Sequence, residues 1–196
     1  TDLGLDDVVI EVGSVGCPTC RPTYREVLVA FLSERQEALC STCCERTQSN
    51  PMRVLDCKVS SCQELLQDAP VPLSHLCTGC DEHQTAVGAG LDALGVPFKV
   101  NDRLVRGLDY YRRTVFEAVT GALGAQAAVI AGGRYDGLLA QFGGPDAPAV
   151  GFAAGTERLL LLAEASHKAA PVARADLGIV QGPGALAEAI LPLLTG

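Results

Sequence analysis

The sequence predicts an α+β fold, in which an antiparallel sheet with flanking helices is interrupted by a cysteine-rich helical insertion. Two observations predict this class. Every one of the nine cysteines lies between Cys17 and Cys80, within helical patterning, and strand-like segments joined by short loops follow. With 48% hydrophobic and 19% charged residues, the 196-residue chain can bury a core, which excludes a disordered protein.

Composition excludes further classes. No apolar run approaches the roughly 18 residues of a membrane-spanning helix, and the first four residues lack the pattern of a signal peptide. A net charge of −8 argues against a chain that wraps nucleic acid along its whole length, although a local basic pocket remains compatible with it. Because the only methionine is Met52, we expect the sequence to be a piece of something longer.

The first two segments are a strand and the insertion. Residues 1–16 end a first part of the core, with a β-branched strand over 8–12. The insertion covers 17–95, where apolar residues three and four apart predict amphipathic helices over 22–39 and 80–94. Prolines break the sequence between these helices into short helical pieces.

After the insertion, residues 96–165 form a second part of the core. A short strand at 98–100 precedes a strand at 112–120 and a returning strand at 125–131. The last two are joined by a short loop, so they must pair antiparallel. The remaining predicted elements are a Gly132-Gly133 loop, a short helix to Phe142, a strand at 149–154 and a leucine-rich helix at 156–165.

Two segments complete the sequence. Residues 166–175 have the composition of a linker, and 176–196 begin an α/β unit. One strand and one helix cannot form a core, so we expect this unit to be truncated.

Three segments after residue 100 combine glycine with arginine, aspartate and tyrosine. They are Leu-Val-Arg-Gly-Leu-Asp-Tyr-Tyr at 104–111, Ala-Gly-Gly-Arg-Tyr-Asp-Gly-Leu at 131–138, and Val-Gly-Phe-Ala-Ala-Gly-Thr-Glu-Arg-Leu at 150–159. Glycine lets a backbone approach a ligand closely, while the polar side chains surround it. Each segment alone is equally compatible with a β-turn and a surface ion pair, but three together favour a binding site.

These segments resemble the histidyl-tRNA synthetase family of class II aminoacyl-tRNA synthetases. The first two resemble the two signatures peculiar to that family, and the third resembles class II motif 3. The resemblance implies a class II synthetase-type sheet, with 176–196 as the start of the C-terminal anticodon-binding domain. It also implies histidine, ATP with Mg²⁺ and tRNA(His) as substrates, a homodimer, and a cytoplasmic enzyme.

The resemblance assigns Arg106 as the catalytic residue. Histidine activation brings a carboxylate up to the α-phosphate of ATP, and a guanidinium between these two anions can bond to both. Arg106 would orient the histidine carboxylate and stabilise charge that develops on the phosphate. The alternative is a structural ion pair between Arg106 and Asp109.

The resemblance also assigns the remaining site residues. Arg158 would bind the γ-phosphate, and the histidine pocket would contain Arg106, Tyr110, Tyr111, Tyr135, Gly132 and Gly133. In an extended chain Tyr110 and Tyr111 point in opposite directions, so both face the ligand only if the chain turns there. Tyr110 packed in the sheet core is the alternative for that residue, and a simple turn is the alternative for the two glycines.

Class II motifs 1 and 2, which supply the dimer interface and an ATP-binding arginine, are expected before residue 1. Nothing in 1–16 resembles them, so we expect the chain alone to be inactive. A histidine-binding regulatory paralogue of histidine biosynthesis is an alternative function. A zinc-stapled module that contacts tRNA is another.

Eight cysteines form close pairs, which are Cys17/Cys20, Cys40/Cys43, Cys57/Cys62 and Cys77/Cys80. Such spacing is typical of structural zinc sites with four cysteines. Disulfides, which a reducing cytosol disfavours, and small buried core residues are the alternatives. Cys44 is left over and can substitute for Cys43, and His75 or His83 is an alternative ligand.

The predicted helix over 22–39 also predicts how the pairs combine. It would be about 25 Å long, so it would keep Cys17/Cys20 apart from Cys40/Cys43. If the helix at 80–94 returns to the core from a distant start, Cys77/Cys80 also lie far from the core. We therefore expect a distal site of Cys40, Cys43, Cys77 and Cys80, and a proximal site of Cys17, Cys20, Cys57 and Cys62.

Overall fold

The computed structural model describes residues 7–123 and 128–165. The strands are Val9–Ser14 (β1), Phe98–Val100 (β2), Thr114–Val119 (β3), Ala128–Arg134 (β4) and Val150–Ala154 (β5). The α-helices are Arg21–Ser33 (α1), Ser41–Ser49 (α2), Ser60–Leu66 (α3), Thr78–Ala93 (α4), Leu138–Gln141 (α5) and Thr156–Ala165 (α6). Short 3₁₀ helices cover Gln36–Ala38, Pro51–Asp56, Pro72–His75 and Gly121–Leu123.

The five strands form one sheet in the order β2-β1-β3-β4-β5. Neighbours pair antiparallel, as predicted for β3 and β4, except that β2 lies parallel to β1 with Phe98 opposite Ile10. The predicted class, an α+β sheet with flanking helices and a cysteine-rich insertion, is confirmed. Among the described residues, no helix is long and apolar enough to cross a membrane.

The parallel pair determines the course of α4. Parallel neighbours need a crossover, so the chain must return to the end of the sheet at which β1 began. Helix α4 makes this return across one face of the sheet, where Val87 and Leu91 face Ile10 and Val12 around an apolar cavity of about 440 Å³. The start of α4 therefore lies beside the end of β1. Gly95, with φ of +67°, ends the return as predicted.

The first predicted helix is shorter than expected. Helix α1 ends at Ser33, and a 3₁₀ turn follows instead of a continuous helix to Leu39. The buried stripe of α1 consists of Tyr24, Leu28 and Leu32. Residues 33–37 are polar, so the next turn of a helix would bury no apolar side chain on that face, and Leu39 reaches the same core after the 3₁₀ turn.

The insertion has a core of its own, distinct from the sheet. Leu28 and Leu32 of α1 are fully buried there with Val54, Cys43 and Cys62. Helix α6 packs on the sheet through Leu162, which contacts a separate small cluster formed by Ala118 and Val129. The stability of the insertion therefore depends on its own packing.

The Gly132-Gly133 loop was predicted wrongly, because both glycines lie inside β4. A Cβ at Gly132 would lie 2.7 Å from Phe116 Cζ, and one at Gly133 would lie 2.7 Å from Tyr111 Cδ1. Glycine thus lets aromatic rings lie directly on this strand. The predicted linker at 166–175 and α/β unit at 176–196 lie outside the described residues.

Replacing Leu28 tests the core of the insertion. Leu28→Ala leaves a cavity, and we expect a loss of about 2–5 kcal/mol in the free energy of unfolding. Val27→Ala on the same helix is the control, because Val27 is 41% exposed. Urea denaturation followed by circular dichroism measures both, and equal losses would contradict the described packing.

Gly133→Ala tests the contact between β4 and Tyr111. The added methyl must displace the ring or the Thr114 carbonyl, which we expect to cost about 1–3 kcal/mol in thermal or urea denaturation. Gly121→Ala is the matched control, since a Cβ there meets nothing within 4 Å. Unchanged stability of Gly133→Ala would show that Tyr111 does not pack on this glycine.

Candidate functional site

A polar cleft lies on the face of the sheet opposite α4. Glu11 on β1 and Glu117 on β3 are register partners and both line it. Its volume is about 540 Å³, within the roughly 300–1,000 Å³ of small-molecule sites. Its charged lining residues are Glu11, Asp56, Lys58, Arg103, Glu117 and Arg158. Three cations beside three carboxylates suit a ligand that carries both signs of charge.

Arg106 pairs with Glu117 in the floor of this site. Its Nη1 donates to Glu117 Oε1, and both side chains are about four-fifths buried. Burial raises the pKa of Glu117, and the Arg106 charge opposes that effect. The Nε of Arg106 is buried without a hydrogen-bond partner among the described residues. A buried donor without a partner is costly, so an acceptor that reached this atom would be stabilised by it.

The alternative partner for Arg106, Asp109, is engaged elsewhere. Its Oδ1 accepts a hydrogen bond of 2.5 Å from Asn50 Nδ2, at the end of α2. The structure therefore does not show the Arg106–Asp109 ion pair.

Three tyrosines form a cluster beside this face. The ring of Tyr110 lies 4.5 Å from that of Tyr111 and 5.8 Å from that of Tyr135. The chain turns at 109–110, so Tyr110 and Tyr111 reach the same side. Tyr111 is buried while Tyr110 is half-buried, and a hydrogen bond to Tyr111 raises the pKa of Tyr110. We call residues 109–111 the tyrosine turn.

Tyr135 is held by an ion pair between its two neighbours. Arg134 Nε donates to Asp136 Oδ2 at 2.6 Å, and the Ala149 amide donates to Asp136 Oδ1 at 3.0 Å. Burial raises the pKa of Asp136, but these hydrogen bonds outweigh it and lower the pKa below the usual value. A Cβ at Gly151 would lie 2.5 Å from the Tyr135 hydroxyl, so Tyr135 crosses β5 at a glycine.

Arg158 lies in the first turn of α6, where the sequence places it. Its Nη1 donates to the Ala128 carbonyl at 2.5 Å, at the start of β4. The tyrosine cluster packs at Gly133, five residues further along the same strand, which corresponds to about 17 Å. The structure thus brings Arg106, the three tyrosines and Gly133 together, and places Arg158 toward the other end of the cleft. Gly132 instead contacts Phe116 and Phe152 on the opposite face of β4.

Three polar residues at the site were missed in the sequence. Glu117 neutralises Arg106, Arg103 donates from the cleft to the carbonyls of Leu66 and Gln67, and Arg21 contacts the tyrosine turn. One signal was present for Glu117. It stands between Val115 and Val119 on one face of its strand, and a carboxylate there needs a partner.

The eight paired cysteines form two groups of four. Cys17, Cys20, Cys77 and Cys80 make the first cluster, and Cys40, Cys43, Cys57 and Cys62 make the second. In each cluster the sulfur atoms all lie within 4.8 Å of one another. Measured Sγ–Sγ distances are 3.7 Å for Cys17–Cys77 and 3.9 Å for Cys40–Cys57. Tetrahedral zinc with bonds of about 2.3 Å separates its sulfurs by about 3.8 Å, so the donors fit this ion.

The predicted distal and proximal combinations are wrong, although Cys17/Cys20 and Cys40/Cys43 are in separate clusters as expected. The error lies in the course of α4. Because α4 is the crossover between parallel strands, its start lies beside the end of β1, and Cys77/Cys80 meet Cys17/Cys20 there.

The remaining candidate ligands lie outside both clusters. Cys44 Sγ points to the Gln36 carbonyl at 3.4 Å. His75 Nδ1 lies 3.1 Å from the Val71 carbonyl, and His83 Nε2 lies 2.9 Å from Thr114 Oγ1.

The cysteines of both clusters are free thiols. The distances between their sulfur atoms are well beyond the roughly 2.05 Å of a disulfide bond. Partial burial raises the pKa of Cys17, but backbone amides of Cys20 and Thr19 outweigh it and lower the pKa to about 6. A hydrogen bond from the Cys43 amide lowers the pKa of Cys40 to about 7. Burial raises the pKa of Cys43 and Cys80. Each cluster therefore begins with one thiol that ionises readily to a thiolate, and the thiolate is the form that binds metal.

Known proteins share this sequence and fold. Among curated relatives, the histidine–tRNA ligase of Trichlorobacter lovleyi is 56% identical over 171 residues, 87% of this chain and 41% of that protein. The histidine–tRNA ligase of Geobacter metallireducens is 55% identical over 161 residues, 82% of this chain and 39% of that protein. The chain therefore spans about two fifths of the length of these relatives.

A solved structure agrees with the sequence relatives. The apo histidyl-tRNA synthetase of S. aureus superimposes with a TM-score of 0.66 at 33% identity, over 87% of this chain and 41% of that one. The family model described as histidyl-tRNA synthetase matches residues 2–159. Since that match covers most of the sequence, the chain belongs to the histidyl-tRNA synthetase family.

Proposed function

We propose that this chain carries part of the active site of a histidine–tRNA ligase. The ligase would join histidine to ATP, giving histidyl-adenylate and pyrophosphate, and then transfer histidine to tRNA(His). Mg²⁺ would enter with ATP as part of that substrate. Relatives more than 50% identical are named histidine–tRNA ligases, which does not favour a regulatory paralogue.

Arg106 carries the proposed chemistry. The Nη1 of Arg106 donates to Glu117, which orients the guanidinium. The buried Nε has no hydrogen-bond partner among the described residues. An oxygen of the histidine carboxylate would attack the α-phosphorus of ATP, and pyrophosphate would leave. The guanidinium fork would hold both anions at the distance of reaction and stabilise the negative charge of the transition state.

The tyrosine cluster would recognise the histidine side chain. Three phenol groups at centroid separations of 4.5–6.4 Å offer aromatic faces and hydroxyls to an imidazole ring. Gly133 admits this cluster, because the Tyr111 ring lies where a Cβ would stand, while Gly132 faces Phe116 on the other side of β4. Arg158, in the first turn of α6, would bind the γ-phosphate, where the helix N-terminus also favours an anion.

We propose that the isolated chain is inactive because the active site is shared with other parts of a longer protein. Strand β5 is at the edge of the sheet, with Val150 and Phe152 about 70% exposed. Exposed apolar side chains on an edge strand are typical of a surface that another segment covers. Motifs 1 and 2, the anticodon-binding domain begun at 176–196, a homodimer and a cytoplasmic location complete this proposal.

We also propose that each four-cysteine cluster binds a structural Zn²⁺. The spacing of the sulfur atoms supports it, and the hydrogen bonds that lower the pKa of Cys17 and Cys40 are consistent with it. The zinc would crosslink segments that are distant in the chain and would take no part in the chemical step.

Arg106→Ala in the full-length ligase tests the proposed function. We expect pyrophosphate exchange dependent on histidine to fall about a hundredfold or more, equivalent to roughly 3 kcal/mol of transition-state stabilisation. Arg106→Lys should recover little, because an ammonium cannot form the fork. Arg35→Ala, at an exposed pair with Glu34, is the control. Near-normal exchange in Arg106→Ala would contradict the assignment.

Metal analysis tests the zinc proposal and the combination of pairs together. We expect two zinc ions per chain by mass spectrometry, and two also in Cys44→Ala. Replacing Cys17, Cys20, Cys77 and Cys80 together by alanine should leave one zinc ion, bound to the second cluster. Complete loss of zinc in that variant would mean that the pairs combine differently, and a metal-free wild type would defeat the proposal.

A further inference from the structure

The first cluster lies where β1, α1 and α4 meet. Arg21, the first residue of α1, follows Cys20 directly, and its backbone amide donates to the Cys17 carbonyl at 3.0 Å. Gly16 precedes the segment from Cys17 to Cys20 and has a φ of +70°. A Cβ at Gly16 would lie 2.9 Å from Cys20 Sγ. The position of Arg21 is therefore determined by the same few residues that hold the sulfurs.

The Arg21 side chain joins this junction to the tyrosine turn. Its guanidinium donates to four backbone carbonyls, which are Val15 (3.1 Å), Gly16 (3.4 Å), Asp109 (3.3 Å) and Tyr111. Two of these carbonyls belong to the residues directly after β1, and the other two belong to the tyrosine turn. One planar fork thus connects the end of β1 with the segment that carries two of the three clustered tyrosines.

We propose that Arg21 is a positioning residue for histidine binding, through which zinc in the first cluster sets the geometry of the tyrosine pocket. This inference rests on the ligase and zinc proposals above. Cys17 and Cys77 are 60 residues apart in the chain, and their sulfurs are 3.7 Å apart. Without a metal, no crosslink joins the start of α1 to the start of α4. Arg21 is then held less firmly, and so is the tyrosine turn to which it donates hydrogen bonds.

The second cluster has a weaker link to the same turn. Asn50 bonds to the side chain of Asp109, and it lies seven residues from both Cys43 and Cys57. Arg21 instead directly follows Cys20, a proposed zinc ligand, and its side chain donates hydrogen bonds to the backbone of the tyrosine turn. Loss of zinc from the first cluster should therefore impair histidine binding more than loss from the second.

Kinetics of the full-length ligase test the role of Arg21. Arg21→Gln should raise KM for histidine about tenfold, leave KM for ATP within about twofold, and retain two zinc ions. Arg21→Lys should restore part of the loss, because the charge remains but the fork is absent. Arg25→Gln is the matched control one turn along α1, where the guanidinium bonds only to the exposed Gln48 carbonyl at 3.1 Å among its described hydrogen bonds. An unchanged KM for histidine in Arg21→Gln would overturn the inference.

Coupling between the metal and Arg21 is tested by combining variants. Cys17→Ala with Cys20→Ala should raise KM for histidine by a similar factor, and adding Arg21→Gln should change it by less than about twofold more. Effects that multiply would show two independent paths and overturn the inference.

A second readout does not depend on catalysis. The chain has no tryptophan and four tyrosines, of which three are clustered in the pocket and Tyr24 is the fourth, so most of the tyrosines that give its near-ultraviolet circular dichroism lie in the pocket. Removing zinc with a chelator should change this signal in the wild-type chain and change it much less in Arg21→Gln. No change in the wild type would overturn the coupling. Absence of histidine-dependent exchange in the wild-type ligase would defeat the ligase proposal instead, and the tyrosine signal would still decide the coupling.

Discussion

The parallel pairing of β1 with β2 is the constraint on which the arrangement of the described residues depends. It forces the segment between the two strands to return across the sheet, and α4 is that return. The start of α4 is thereby placed beside the end of β1, where the four cysteines of the first cluster meet. The opposite face of the sheet is left open for the cleft and its charged residues.

On that open face, one ion pair lies at the centre of the proposed site. Glu117 is held in the middle of the sheet by register with Glu11, and Arg106 compensates its charge. Two carboxylates opposite each other would repel, so a guanidinium beside one of them stabilises the fold before any ligand binds. The proposed chemistry and the stability of the sheet therefore both depend on Arg106, while Gly133 leaves space for the Tyr111 ring.

The sequence predicted what depends on local patterns. Helix α4, the antiparallel return of β4 and the pairing of eight cysteines follow from periodicity, loop length and spacing. It did not predict the parallel partner of β1, because a three-residue strand 88 residues away carries too little pattern. That omission led to the wrong combination of cysteine pairs. Glu117 and Arg21 were missed for a related reason, since their partners are distant in the chain.

The first cluster also has a consequence for the rate of folding. Strand β1 lies inside the sheet, and Ile10 must pair with Phe98, which is 88 residues further along the chain. A metal that joins Cys17 to Cys77 shortens this path to seven residues on one side and 21 on the other. The entropic cost of closing the loop falls by about 1 kcal/mol, so a metal-bound intermediate would assemble the sheet several times faster than a metal-free chain.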